Sequence, residues 1–70
     1  MDCVLLDFHM KKNGYSISAM CEALDLSRSA FYRKCRGKSE FTQNEISKII
    51  SLLNLDAELV YLIFFTSKVS

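Results

Sequence analysis

An all-α fold is what this sequence predicts, on three observations. A helix-start signal recurs four times, each with an apolar residue, then a capping side chain, then another apolar residue four positions after the cap. Helix breakers are scarce, with no Pro and only two Gly in 70 residues. No stretch alternates apolar and polar residues as a half-buried strand would. Half of the residues are apolar and 24% are charged, which argues against disorder and supplies one modest core. Residues 1–70 are therefore expected to form a single domain.

The first helix is expected over about residues 2–12, with Cys3, Leu6 and Met10 at one-face spacing. It ends at Asn13-Gly14, where Gly supplies the left-handed conformation of a helix stop. Tyr15-Ser16 with Met20 opens the second helix, at about 16–24. Leu26-Ser27 with Phe31 opens the third, at about 27–36, and Gly37 ends it. Lys34 and Arg36 in its last turn suit the negative end of the helix dipole. Only Asp25-Leu26 joins the second helix to the third, too short a link for a side-by-side pair, so a steep crossing is expected. Phe41-Thr42 with Ile46 opens the fourth helix, at about 42–53, where Glu45 completes a capping box. Its stripe is Ile46, Ile49, Ile50 and Leu53. Leu55-Asp56 with Val60 opens the fifth, at about 56–65.

Several function classes are excluded by what the sequence lacks. The longest apolar run, Leu59 to Phe65, is seven residues, against roughly 20 for a membrane-spanning helix. The amino-terminal stretch has no basic lead and carries Asp2 and Asp7 around its short apolar run, unlike a secretory signal. A cytoplasmic protein without a membrane partner is the expectation. Cys3, Cys21 and Cys35 are odd in number and lack metal-ligand spacing, so free thiols and no metal or cofactor are expected. Asp7 and His9 near Cys3 do not make a nucleophile with its base and orienting group. Neither an enzyme nor a small-molecule substrate is expected.

Charge is unevenly spread. Arg28, Arg33, Lys34, Arg36 and Lys38 lie between Ser27 and Lys38 with no acid, a local charge of +5 in a chain of net charge +1, leaving −4 for the remainder. On a helical wheel Phe31 and Cys35 point one way, while Ser29, Tyr32, Arg33 and Arg36 cluster opposite, with Arg28 nearby at the first turn. An apolar back of this kind packs against Met20, Leu24 and Leu26 and holds a basic, hydrogen-bonding front out in solvent. Such a front fits a DNA major groove, where Arg pairs with guanine O6 and N7 and Ser or Tyr reaches base edges or phosphates.

Read from Tyr15, the segment YSISAMCEALDLSRSAFYRKCRGK resembles the helix-turn-helix of the lambda-repressor-like class, which contains the phage Cro and CI repressors and the XRE regulators. Met20, Leu24, Leu26 and Phe31 fall where that family keeps apolar core residues. Ser27 falls where it caps the recognition helix, and Gly37 where that helix commonly stops. Three positions depart from the pattern: Asp25 stands where Gly is usual, Cys21 where a tightly packed Ala is usual, and Lys34 where relatives are often apolar. The later segment LDAELVYLIFF is similar to small phage and prophage regulators.

The resemblance implies a compact five-helix DNA-binding domain with its helix-turn-helix at 16–37. It implies a sequence-specific transcription regulator of double-stranded DNA, in its simplest form a Cro-type repressor on a palindromic operator. Carried over residue by residue, it makes Arg28, Ser29, Tyr32 and Arg33 the base-facing group, with Arg36 at the groove edge. Ser16 and Ser18 match positions that usually hold a phosphate. Lys38 and Ser39 are similar to the family's second backbone clamp, which Thr42 joins if its amide faces outward. Lys34 is counted with these backbone contacts.

The last helix raises a separate expectation. Leu59 to Phe65 are apolar in every direction around a helix, more than a small domain can shelter. A homodimer through residues 56–70, with Tyr61, Phe64 and Phe65 at the interface, would set two recognition helices about 34 Å apart. Closure of the core by Phe64 and Phe65 is the other reading of that pair. A protein-interaction module on the same scaffold, such as an antirepressor or antitoxin, is the alternative to DNA binding.

Overall fold

The computed structural model describes residues 1–65; of the expected dimerisation segment 56–70, residues 66–70 lie outside the described residues. Five helices follow one another: α1 (Cys3–Lys12), α2 (Ile17–Leu24), α3 (Arg28–Cys35), α4 (Gln43–Leu53) and α5 (Ala57–Val60). No strand occurs among the described residues, so the protein is all-α as expected. The fifth differs in form from the regular helix that the sequence predicts, because after Val60 the chain widens into a π-helical turn over Tyr61–Phe65.

Every helix begins on a side-chain cap. Ser16, Ser27, Thr42 and Asp56 each accept from the backbone N–H three residues on, as does Asp2 at the start of α1. Such a bond satisfies one of the amide donors that a helix start leaves without a partner. The capping box at Thr42 is complete, with the Glu45 carboxylate accepting from the Thr42 N–H at 2.9 Å and the Thr42 hydroxyl from the Glu45 N–H at 3.1 Å.

The helix ends share one design. Gly14, Asp25, Gly37 and Asn54 adopt left-handed φ of 79°, 57°, 80° and 51°. The next residue in each case donates its N–H to a carbonyl five positions back: Tyr15 to Met10, Leu26 to Cys21, Lys38 to Arg33 and Leu55 to Ile50. This is the Schellman closure, which satisfies carbonyls left open at a helix end. At three joints the following residue is at once the apolar residue before the next cap: Gly14-Tyr15-Ser16, Asp25-Leu26-Ser27 and Asn54-Leu55-Asp56. Between Gly37 and Phe41-Thr42 the same grammar is interrupted by Lys38, Ser39 and Glu40. Those three residues form the one extended loop among the described joints.

Each helical segment contributes to one core. Leu6 and Met10 of α1, Met20 of α2, Phe31 of α3, Ile49 of α4 and Ile63 of the π-helical turn are all at most 1% exposed. A row of rings binds the carboxyl-terminal half together. Phe31 meets Phe41 at 5.9 Å and 70°, and Phe41 meets Phe64 at 6.1 Å and 85°, the edge-to-face geometry that aromatic quadrupoles favour. The amino-terminal end of α1 is tied to the π-helical turn by the Asp2 N–H, which donates to the Ile63 carbonyl at 2.8 Å.

Candidate nucleic-acid interface

The third helix is held from behind. Phe31 and Cys35 are buried on its back, packed within the same cluster as Met20 and Leu24, with Leu26 against it. Its front carries Arg28, Ser29, Tyr32, Arg33 and Arg36, every one exposed. The separation of faces expected from the wheel is thus present. Asp25 makes the left-handed turn between α2 and α3 that a Gly would make more easily.

Two guanidiniums on this front are engaged by neighbours. Arg28, the first residue of α3, donates from an Nη to the Ser18 hydroxyl on α2. The Arg36 guanidinium lies 6.0 Å from the centre of the Tyr32 ring, one turn earlier on the same helix. The Arg33 side chain, between them, makes no hydrogen bond, ion pair or ring contact with the described residues.

The other residues expected to meet DNA lie on the elements before and after α3. Ser16 is exposed at the start of α2, its hydroxyl accepting from the Ala19 N–H at 3.0 Å as a cap. Lys38 is exposed and Ser39 half-buried in the loop after α3, and Thr42 is exposed at the start of α4.

Lys34 is placed differently from the expectation that it meets a backbone phosphate. Its ammonium donates to Glu45 at 2.6 Å, with both side chains only 14% exposed, and sits 5.8 Å from the centre of the Phe41 ring. The aliphatic stem is thereby buried, and Glu45 neutralises its charged end. Burial pushes the Glu45 carboxyl up, but the Lys34 ammonium and the Thr42 amide outweigh it and hold the group below the usual glutamate range. One carboxylate therefore caps α4 and anchors α3. The open charge of the front is carried by Arg28, Arg33, Arg36 and Lys38.

The cysteines are free thiols: Cys21 and Cys35 are buried and Cys3 is half-buried. Burial pushes the Cys35 thiol far up, assisted by its contact with Cys3, and it pushes Cys21 up against the opposing influence of Arg28. Reactive thiolates are disfavoured by such surroundings. Among the described residues no group of His, Cys, Asp and Glu is arranged to hold a metal ion, and no helix is long and apolar enough to cross a membrane.

At the far end of the chain Phe64 is half-buried against Phe41, so it closes the core, while Tyr61 and Phe65 remain 58% and 64% exposed. Phe65 does not share the core position of Phe64.

The BetR domain family matches the sequence over residues 4–67. No curated protein and no solved structure gives a significant match. With two capped helices meeting at a tight left-handed turn, a basic exposed second helix, and a match that covers nearly the whole sequence, the chain belongs to the BetR domain family, a family of small helical helix-turn-helix DNA-binding domains.

Proposed function

We propose that the protein is a sequence-specific regulator of transcription that binds double-stranded DNA with α3 in the major groove and acts without catalysis. The observation that carries this reading is the segregation of α3: an apolar back fixed in the core, and a front on which Arg28, Ser29, Tyr32, Arg33 and Arg36 all reach solvent. Guanidiniums presented in this way match the acceptor pair of guanine. Ser16, Lys38, Ser39 and Thr42 flank the front and serve as backbone contacts that fix orientation. A small Cro-type or XRE-type repressor in the cytoplasm is the form of regulator that the helix-turn-helix segment resembles most.

The reading includes a homodimer on a palindromic operator. Its support is the exposed apolar set Tyr61, Leu62 and Phe65, surface that a monomer gains nothing by leaving in water. A dimer that neutralises about six phosphates has a log-log salt slope of about −5. Selection of bound sequences from a random duplex pool tests both parts together: a palindrome with half-sites one helical turn apart is the expected result. Enrichment of no sequence at any salt concentration overturns the DNA reading. Sedimentation that finds only monomer, with and without the selected duplex, overturns the dimer. In that case the exposed aromatic surface favours the second reading, a protein-interaction module that inhibits another regulator.

A further inference from the structure

The helix-turn-helix resemblance implies a phosphate contact for Ser18 and a base contact for Tyr32. We infer that both are positioning residues instead: Ser18 aims Arg28 and Tyr32 aims Arg36, so that the protein presents two guanidiniums already set before DNA arrives. The inference rests on the DNA-binding reading above and names the residues that give it specificity.

Three observations carry it. The Ser18 hydroxyl accepts from Arg28 across the α2–α3 turn, a contact between side chains ten residues apart that local sequence does not require. The Arg36 guanidinium lies 6.0 Å from the Tyr32 ring centre, the range in which a cation is drawn to a ring face. Tyr32, 41% exposed, lines with Asp7, Met10 and Ile17 a cleft of about 200 Å³ beside α1. The Tyr32 ring also meets the buried Phe31 ring at 6.2 Å and 67°, a contact that restrains it as a platform for Arg36.

The chemistry favours arginine for this arrangement. A guanidinium offers five N–H donors in a planar fork, so one edge can be held by a hydroxyl or lie on a ring while another edge meets guanine. Ordering a free arginine at an interface costs rotamer entropy, and a side chain already confined in the unbound protein loses less of it. Arg33 has no such partner among the described residues and is the internal reference.

The test has two arms. In the free protein, nitrogen-15 relaxation at arginine Nε is expected to show Arg28 and Arg36 more ordered than Arg33. That difference vanishes for Arg28 in Ser18→Ala and for Arg36 in Tyr32→Ala. Equal order at all three sites in the wild type overturns the inference without any reference to DNA. In titrations of the selected duplex, Ser18→Ala is expected to lose about two- to tenfold in affinity, concentrated at one base pair, with the salt slope unchanged. A loss spread evenly over all base variants marks a direct contact of the neutral hydroxyl with a phosphate and overturns the assignment of Ser18. Tyr32→Phe keeps the ring and is expected to bind as wild type, while Tyr32→Ala loses about two- to tenfold. Equal losses in Tyr32→Phe and Tyr32→Ala identify a hydroxyl contact with DNA and overturn the assignment of Tyr32. Failure of the wild type to bind any duplex overturns the DNA reading itself.

Discussion

Arg33 is the residue whose removal isolates base readout, because among the described residues neither a hydroxyl nor a ring restrains its side chain. Arg33→Ala is expected to cost about 1–3 kcal/mol on the best site and to flatten discrimination at one base pair; titration against a panel of single-base variants measures both. Lys38, exposed in the loop beyond α3, belongs to the other class. Lys38→Ala is expected to weaken all sequences alike and to reduce the salt slope by about one. Glu45 acts on stability. Its folded-state pKa is lowered, so its contribution is complete above the ordinary glutamate range, roughly pH 5 upward, and fades as acid takes the solution down through the lowered value. Urea titrations of wild type and Glu45→Gln should therefore differ at neutral pH by about 1.5–3 kcal/mol and converge in acid.

At the scale of elements, the caps at Ser16, Ser27, Thr42 and Asp56 were legible in the sequence because a cap is written within four residues. The left-handed turn at Asp25 was indicated only by the resemblance, in which Gly is usual at that position. Asn54 carries an equal signal, an Asn just after the last apolar residue of α4, yet the sequence reading left the end of that helix without a named stop. What could not be read was anything set by residues distant along the chain. Lys34 and Glu45 stand eleven positions apart, and nothing local announces that a cation in a basic run turns inward to a capping carboxylate. Ser18 and Arg28 meet for the same tertiary reason. The π-helical turn at Tyr61–Phe65 also escaped the wheel, which assumes a constant winding. A direct prediction at this scale concerns Gly37, with φ of 80° and nothing within 4 Å of where a Cβ would stand. Gly37→Ala meets no obstruction, so its expected cost of about 1–2 kcal/mol is conformational alone, and thermal unfolding reads it.

For the whole molecule, the core and the interface are two sides of one helix, and substitutions on them should fail in different ways. Phe31→Ala removes a ring that is 1% exposed and touches Phe41 edge-on. It is expected to cost about 3–5 kcal/mol through the cavity left behind, a large share of what a domain of this size commands. Circular dichroism and DNA binding should then be lost together. Arg33→Ala, by contrast, should leave the melting curve in place while binding falls. The basic front was legible from composition because five cations without an acid are conspicuous in a chain of net charge +1. Which of them stay open to solvent was decided only by the packing of α3 against α4.

The bond from the Asp2 amide to the Ile63 carbonyl makes the second residue of the chain an observer of the other extremity. An amide just ahead of a helix, with no carbonyl to hold it, ordinarily trades its proton for deuterium almost at once. Here the trade waits until the final helix lets go, so the lag at Asp2 times the loosening of the aromatic end. Deuterium uptake at that single position, followed with and without a duplex or a second copy of the chain, would register whether either visitor settles there.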